Sequence, residues 1–331
     1  MERGVLGRTG RLVSVVGLGT WQLGADWGEV SEDDARAVLD ASAESGVTFF
    51  DTADVYGDGR SEEIIGSYLA DNPGAGITVA TKMGRRAPQV PESYTLANFR
   101  EWTDRSRRNL RTDRLDLVQL HCPPSSVVDD DQVYDALDTL VAEGAIAAYG
   151  VSVETVDEAL AAIARPGTAT VQIILNPFRL KPLDEVLPAA SEAGVGIIAR
   201  VPLASGLLTG KYTRETTFAD NDHRSFNRDG SAFDVGETFS GVDFETGITA
   251  AGEFTALVHD VLGPDVSPAQ AAIAWIWQQP GVSTVIPGAR NVEQARANAE
   301  AGSAEVLGPL FTSGIREIYD RYLRESIHAR W

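Results

Sequence analysis

The sequence predicts a single-domain (β/α)8 TIM barrel spanning residues 1–331, with a small β-hairpin before the barrel and an extra C-terminal helix after it. Short apolar segments typical of strands alternate with longer amphipathic segments typical of helices along most of the chain. Strict alternation of this kind implies parallel strands joined by helical crossovers. Eight such units match a closed barrel better than an open doubly wound sheet, and no proline-rich linker divides the chain.

The expected elements follow one another in order. The strands are expected at residues 13–18, 48–51, 77–82, 115–121, 147–152, 170–176, 196–201 and 283–286. The helices between and after them are expected at 32–44, 62–70, 96–110, 132–143, 155–164, 183–193, 249–262, 268–278 and 292–301. Residues 4–12 predict the hairpin and residues 312–327 the extra helix. Helix starts carry capping residues such as Ser31, and helix ends carry glycines such as Gly194.

Residues 212–247 are too long to be a simple connection. They have little periodicity and are rich in Asp, Gly and Phe. Loops of this length in compact domains are usually lids, binding loops or disordered segments. This one would follow the seventh strand at the end of the barrel where barrel enzymes carry their active sites. We therefore expect a lid that is mobile without ligand and ordered with it.

The composition excludes several kinds of partner. The net charge is −20, whereas nucleic acids and anionic membranes require basic surfaces. The single cysteine, Cys122, rules out an internal disulfide and fits a reducing cytoplasm. No segment approaches the roughly 18 apolar residues that span a bilayer, and the N-terminus lacks the pattern of a signal peptide. We therefore expect a soluble cytoplasmic protein that binds neither nucleic acid nor membrane.

Four ionisable residues lie at the ends of neighbouring predicted strands. Asp51, Lys82 and His121 end the second, third and fourth strands, and Tyr56 lies just beyond Asp51. The carboxyl ends of parallel strands meet at one mouth, so these side chains should converge. One strand-end Asp or one buried Tyr is usually structural. Four together are harder to explain by packing, because each would need a partner when buried.

Together, these four residues could provide a proton donor next to a position that binds an oxygen atom. The pKa of a tyrosine is ordinarily near 10, and a lysine ammonium within about 4–6 Å would lower it. Asp51 would keep the buried Lys82 charged, and His121 could donate a hydrogen bond to a bound oxygen. This arrangement suits the reduction of a carbonyl group.

Three motifs carry a resemblance to a known family. "DTADVYG" (51–57), "VATKMG" (79–84) and "LDLVQLH" (115–121) resemble the active-site motifs of the aldo-keto reductases. Further matches lie at "GLGTW" (17–21), "YGVS" (149–152), "QIILNPF" (172–178), "ARVPLASGLLTGKY" (199–212) and "VIPGARNVEQARANA" (285–299). The resemblance implies that Asp51, Tyr56, Lys82 and His121 form the catalytic tetrad of an NADP-dependent reductase of aldehydes or ketones.

The resemblance also implies NADP(H) bound at the barrel mouth without a Rossmann domain. "GLGTWQ" indeed lacks the dinucleotide fingerprint, because Gln22 stands where the third glycine should be. The implied contacts with the nicotinamide are Gly19, Thr20, Trp21, Asp51, Ser152, Gln172 and Arg200. Those with the pyrophosphate are Pro202, Leu203, Ser205, Gly206 and Lys211. Those with the adenosine end are Gly288, Arg290, Gln294 and Asn298, with Arg290 expected to hold the 2′-phosphate because it precedes a helix start.

The substrate is expected to be a small carbonyl compound in contact with Trp27, Tyr56 and His121. No metal site is expected, since the remaining histidines lack ligands at metal-binding spacing. One alternative comes from another functional class: some members of the superfamily are channel-associated regulatory subunits that bind the cofactor and turn over slowly. The oligomeric state and the particular substrate stay open.

Overall fold

A computed structural model describes residues 1–24, 30–220, 222–228, 230–232 and 236–331, and these form ten strands and thirteen α-helices. The strands are β1 (Arg3–Val5), β2 (Leu12–Ser14), β3 (Leu18–Gly19), β4 (Phe49–Asp51), β5 (Thr78–Met83), β6 (Leu117–His121), β7 (Tyr149–Ser152), β8 (Thr168–Ile174), β9 (Gly196–Arg200) and β10 (Val282–Val285). The helices are α1 (Glu32–Glu44), α2 (Arg60–Asp71), α3 (Leu96–Asn109), α4 (Ser125–Val128), α5 (Asp131–Ala142), α6 (Val156–Ile163), α7 (Val186–Ala193), α8 (His223–Phe226), α9 (Phe244–Leu262), α10 (Pro268–Trp277), α11 (Val292–Glu300), α12 (Pro309–Tyr322) and α13 (Arg324–Ile327).

Strands β3 to β10 form one parallel sheet in chain order, with helices in the connections. Parallel bridges join Val16 to Val285 and Gly19 to Gly288, so the first and last strands meet. The amide of Gly17 donates to the Val285 carbonyl oxygen at 2.8 Å at this junction. The sheet therefore closes on itself, and the predicted (β/α)8 barrel is confirmed.

The N-terminal hairpin is confirmed, but the first barrel strand is much shorter than predicted. Residues 12–14 pair with β1 in antiparallel register, and the chain joins the barrel from Val16, which bridges Val285, with β3 itself beginning at Leu18. The chain turns between them, where the Ser14 hydroxyl donates to the Val16 carbonyl oxygen at 2.7 Å. The sequence does not show this break, because residues 13–18 are all buried and mostly apolar, and hydropathy does not distinguish the two pieces.

The interior of the barrel changes from apolar to polar along its axis. Leu6, Val13, Phe49, Leu117 and Ile198 belong to one buried cluster at the end of the barrel that faces the hairpin. Successive side chains of a strand alternate between the two faces of the sheet, so Gln119 and His121 follow Leu117 on the inner face of β6. The apolar cluster thus fills the end of the barrel next to the hairpin, and the polar residues lie at the opposite end, at the carboxyl ends of the strands.

Most of the helices after the first seven barrel strands begin within two residues of the predicted start, but α7 begins three residues later and α9 five residues earlier. Ser31 accepts a hydrogen bond from the Asp34 amide at 3.1 Å, and Thr155 forms a capping box with Glu158. The extra C-terminal helix is present as α12, which begins at Pro309 and is followed by the short α13. Each helix in the described ranges is too short or too polar to cross a bilayer.

Candidate active site

A buried ion pair lies at the carboxyl ends of β4 and β5. Lys82 is 1% exposed and Asp51 is 2% exposed, and the lysine ammonium donates to Asp51 Oδ1. It also donates to the Thr52 carbonyl oxygen at 2.9 Å. Burial, the largest single influence, lowers the pKa of Lys82, but the charges and hydrogen bonds of Asp51 and Tyr56 together outweigh it, so the pKa is raised overall. The ammonium therefore stays charged inside the protein.

Two glutamines fix the other oxygen of the Asp51 carboxylate. Gln172 Nε2 lies 2.8 Å and Gln119 Nε2 lies 3.1 Å from Asp51 Oδ2. Gln172 Nε2 also lies 3.2 Å from Gln119 Oε1. These bonds satisfy a buried carboxylate that would otherwise be costly to place there. Gln172 was predicted to hold the nicotinamide, and its amide nitrogen is in addition committed to Asp51.

Gln119 is a site residue that the sequence prediction missed. It is buried, and its backbone pairs in register with Lys82 on the neighbouring strand. The signal was available: a polar residue in an otherwise apolar strand, two positions before His121, must share the inner face with it.

The hydroxyl of Tyr56 lies 3.4 Å from the Lys82 ammonium. Burial raises the pKa of Tyr56 above its usual value, and the charge of Lys82 offsets only part of that rise. Lys82 therefore lowers the pKa of Tyr56 as expected, but the expected net lowering of that pKa is wrong. The sequence could not reveal this, because the dominant effect is desolvation by the surrounding protein. The phenol is consequently protonated at neutral pH.

Two further rings surround the Tyr56 phenol. His121 meets it edge-on, with centroids 6.0 Å apart and planes at 84°. Trp21 stacks on its other side at 6.2 Å and 22°, and His223 from the long segment contacts Trp21 at 5.6 Å. The structure thus brings all four predicted catalytic residues together. His223 was not predicted to be here.

An open cavity of about 630 Å³ lies at this mouth of the barrel. Tyr56 and His121 line it, while Lys82 lies behind Tyr56. Every residue predicted to contact the cofactor lines the same cavity: Gly19, Thr20, Trp21, Asp51, Ser152, Gln172, Arg200, Pro202, Leu203, Ser205, Gly206, Lys211, Gly288, Arg290, Gln294 and Asn298. Trp27, predicted to contact the substrate, lies outside the described residues.

The turn after β9 has an unusual backbone at the cavity wall. Val201, Ala204 and Ser205 have φ of 53°, 47° and 55°, and Gly206 has φ of 101°. Side chains other than glycine rarely adopt positive φ, and strained residues of this kind cluster at ligand sites. Turns with left-handed residues can also direct successive amides into an anion-binding hollow. The turn fits the predicted position of the pyrophosphate.

Arg200 at the end of β9 is bound to the long segment. It is 8% exposed, forms an ion pair with Glu237 and donates to the Val153 carbonyl oxygen at 3.3 Å. The Ser205 hydroxyl donates to the Glu237 carbonyl oxygen at 2.9 Å. Glu237 also lines the cavity. It was not predicted, because nothing in a segment without periodicity distinguishes one acidic residue from its neighbours.

The start of α11 forms the other end of the cavity wall. Asn291 caps the helix by accepting from the Gln294 amide at 2.9 Å, and Gln294 Oε1 accepts from the Arg290 amide at 2.9 Å. Asn298 Nδ2 donates to the Gly288 carbonyl oxygen at 3.1 Å. The helix start and the exposed Arg290 side chain favour an anion at this end.

A second buried acidic group lies next to the ion pair. Asp54 is 2% exposed, and its Oδ1 has no hydrogen-bond partner among the described residues. Burial and the nearby Glu62 raise the pKa of Asp54 to about 7. Glu62 is fully buried too, but it accepts from Thr81 Oγ1 at 2.6 Å and Asn109 Nδ2 at 2.8 Å.

A buried ammonium thus contacts a phenol at the mouth of a parallel barrel, beside an open cavity of about 630 Å³. The model of the Aldo/keto reductase family matches residues 15–320. The chain therefore belongs to the aldo/keto reductase family, a family of oxidoreductases.

Relatives at similar levels of identity carry different names. An uncharacterized oxidoreductase of Mycobacterium tuberculosis is 34% identical over 301 residues, covering 89% of this chain and 86% of the relative. The aldo-keto reductase YhdN of Bacillus subtilis is 31% identical over 304 residues, covering 91% and 88%. A probable voltage-gated potassium channel subunit beta of Arabidopsis thaliana is 30% identical over 329 residues, covering 95% of each.

Solved structures share the fold over nearly the whole chain. The glycerol dehydrogenase AKR11B4 from Gluconobacter oxydans has a TM-score of 0.77 at 30% identity, covering 95% of this chain and 93% of that one. The holo form of the aldo-keto reductase AKR11C1 from Bacillus halodurans has a TM-score of 0.75 at 26% identity, covering 96% of each. An aldo-keto reductase from Klebsiella pneumoniae in complex with NADPH has a TM-score of 0.70 at 23% identity, also covering 96% of each.

Asp54→Asn should stabilise the protein above pH 7 and flatten the pH dependence of its stability. Because the folded-state pKa lies above the unfolded value of 3.8, folding favours the protonated carboxyl. The contribution of Asp54 to the stability of the wild-type protein should therefore become less favourable as pH rises from about 4 to 7. A gain of about 2–4 kcal/mol at pH 8 should appear in urea unfolding and vanish near pH 4.

The control variant is Asp260→Asn, on the exposed surface of α9. It should leave the stability at pH 8 unchanged. Equal stability of Asp54→Asn and the wild-type protein at pH 8 would show that burial does not disfavour the ionised form of Asp54.

Proposed function

We propose that this protein reduces aldehydes or ketones to alcohols with NADPH and catalyses the reverse oxidation with NADP⁺. The observation that carries the proposal is the Tyr56 hydroxyl beside the Lys82 ammonium at the wall of the cavity. A protonated phenol there can give its proton to a carbonyl oxygen, which is the step that a carbonyl reductase needs from its protein. NADPH, when bound, supplies the hydride.

Three regions of the cavity wall support the choice of cofactor. Arg290 and the start of α11 suit the 2′-phosphate, because a guanidinium fork and helix amides both favour phosphate. The strained turn 203–206 and Lys211 suit the pyrophosphate. Ser152 and Gln172 lie at the opposite end near Asp51, where they would hold the nicotinamide carboxamide.

The protein's own contribution is the position and the electrostatics of the proton transfer. Tyr56 donates the proton, and His121 donates a hydrogen bond that orients the carbonyl oxygen. Lys82 stabilises the phenolate that remains, because its charge opposes the effect of burial on the pKa of Tyr56. Asp51, held by its glutamines, keeps Lys82 charged and fixed in place. Proton transfer by a positioned acid is worth roughly 10²- to 10⁴-fold in rate.

A second candidate function comes from the relative named as a channel subunit. It matches this chain over nearly its full length, so the fold alone does not separate the two roles. The complete set of Asp51, Tyr56, Lys82 and His121 in contact favours turnover. A regulatory subunit would bind NADPH tightly without consuming it on a broad panel of carbonyl compounds.

Tyr56→Phe should remove most carbonyl reduction and leave NADPH binding nearly unchanged. The substitution deletes the proton donor but keeps the ring that stacks on Trp21. A fall in kcat of about 10²-fold or more is expected with an aromatic aldehyde. The dissociation constant of NADPH, measured by its fluorescence, should stay within about twofold, a change of less than 0.5 kcal/mol. A variant that retains half of the wild-type kcat would exclude Tyr56 as the acid.

Arg290→Ala should weaken NADPH binding about 10- to 100-fold and leave NADH little changed. The lost interaction is a charge-assisted bond to the 2′-phosphate, worth about 1.5–3 kcal/mol, and NADH has no such phosphate. Calorimetric titration with each cofactor measures the two affinities separately.

The matched control is Arg296→Ala on α11, the helix that Arg290 precedes, because Arg296 pairs instead with Glu44 at 3.3 Å. It should leave both affinities unchanged. Equal losses for NADPH and NADH in Arg290→Ala would place Arg290 away from the 2′-phosphate.

A further inference from the structure

We infer that the indole of Trp331 positions Glu237 and Arg200 at the cofactor cavity, and so helps set how long the protein retains NADP(H). The inference rests on the proposed function, because it takes the cavity to be the NADP(H) site. Trp331 itself is not part of the cavity wall among the described residues. It would therefore act as a positioning residue, through the segment that lies between it and the cavity.

Trp331 is buried against Arg179. The indole is 6% exposed, and the Arg179 guanidinium carbon lies 3.6 Å from the ring centroid. Arg179 is 1% exposed and donates to the Glu154 carbonyl oxygen at 2.7 Å. Lys181 donates to the main-chain oxygen of Trp331. The indole is thus held on one face by a buried cation, an arrangement that stabilises both groups.

Residues 236–241 of the long segment pack directly on this pair. A Cβ atom at Gly236 would lie 2.5 Å from the Trp331 indole and 2.2 Å from Arg179 Nη1. A Cβ atom at Gly241 would lie 3.0 Å from the same indole, and Arg330 Nη1 donates to the Gly241 carbonyl oxygen at 3.1 Å. Both glycines also have positive φ. Their lack of a side chain is what allows the backbone to approach the indole so closely.

Between these two glycines, the segment makes its contacts with the cavity. Glu237 forms the ion pair with Arg200, and its carbonyl oxygen accepts from the Ser205 hydroxyl at 2.9 Å. The Phe239 amide donates to Ser205 Oγ at 3.1 Å. Glu237, Arg200 and Ser205 all line the cavity. The indole therefore lies behind the short stretch of backbone that carries these contacts.

Removal of the indole should loosen that stretch. Arg179 lies close enough to Arg200 for their like charges to interact, and burial together with that repulsion lowers the pKa of Arg179 to about 9. Without the indole, Arg179 would lose the ring that stacks on its guanidinium. Its charge would then attract water or residues 236–241 instead. Glu237 would then hold Arg200 less firmly, and the turn at Ser205 would lose its partner.

The test is the affinity and the dissociation rate of NADPH in Trp331→Ala and Trp331→Phe. Trp331→Ala should weaken NADPH about tenfold, chiefly through faster dissociation, as expected for coupled neighbours. Trp331→Phe keeps an aromatic face over Arg179 and should recover most of the affinity. NADPH fluorescence in stopped flow measures both quantities without any turnover.

A double-mutant cycle separates positioning from a general loss of stability. If Trp331 acts through Glu237, Trp331→Ala combined with Glu237→Gln should bind NADPH no more weakly than Glu237→Gln alone. The control is Phe311→Leu, a buried residue of α12 that packs on Phe254. It should lower the melting temperature without changing the affinity.

The outcomes distinguish the inference from the function on which it rests. Wild-type affinity in Trp331→Ala, full additivity in the cycle, or an equal loss of affinity in Phe311→Leu would overturn the positioning role and leave the proposed function intact. A wild-type protein that does not bind NADPH would overturn both.

Discussion

The buried ion pair of Lys82 and Asp51 is the interaction on which the site depends. Two charges taken out of water are stable only with close mutual contact and further hydrogen bonds, and loss of one partner from such a pair costs about 3–5 kcal/mol. Gln119, Gln172 and the Thr52 carbonyl oxygen provide those bonds. These groups come from β6, β8 and the loop after β4. The ion pair therefore depends on the closed barrel, which brings strands that are not adjacent in the sheet to one carboxylate.

Much of this site could be predicted because parallel strands direct their carboxyl ends to one mouth. Asp51, Lys82 and His121 follow from that rule, and the order of strands and helices follows from periodicity. The short first strand could not be predicted, since residues 13–18 are all buried and mostly apolar although the chain turns within them. The net rise in the pKa of Tyr56 depends on burial, which a sequence does not measure.

Residues 212–247, the long segment after β9, are the part of the chain that the sequence predicted least well. Its acidic and glycine-rich composition suggested little core of its own, yet Phe218, Phe239 and Phe244 pack together with centroids 5.1–6.0 Å apart. These contacts join residues distant in the segment and leave no periodic trace. Glu237, two residues before Phe239, pairs with Arg200 at the cavity wall, and this contact likewise depends on tertiary packing that the sequence does not show. Its movement with cofactor stays a prediction.

In the proposed mechanism, Lys82 opposes the effect of burial on the pKa of Tyr56 and so keeps the phenol proton transferable. The most direct measurement is the pH dependence of kcat/KM for alcohol oxidation with NADP⁺, in the wild-type protein and in Lys82→Met. Oxidation requires the phenolate, so the acidic limb of the profile reports the pKa of Tyr56. Loss of the ammonium should move that limb to higher pH by about one unit or more and lower kcat. An acidic limb at the same pH in both proteins would show that Lys82 does not influence the pKa of Tyr56.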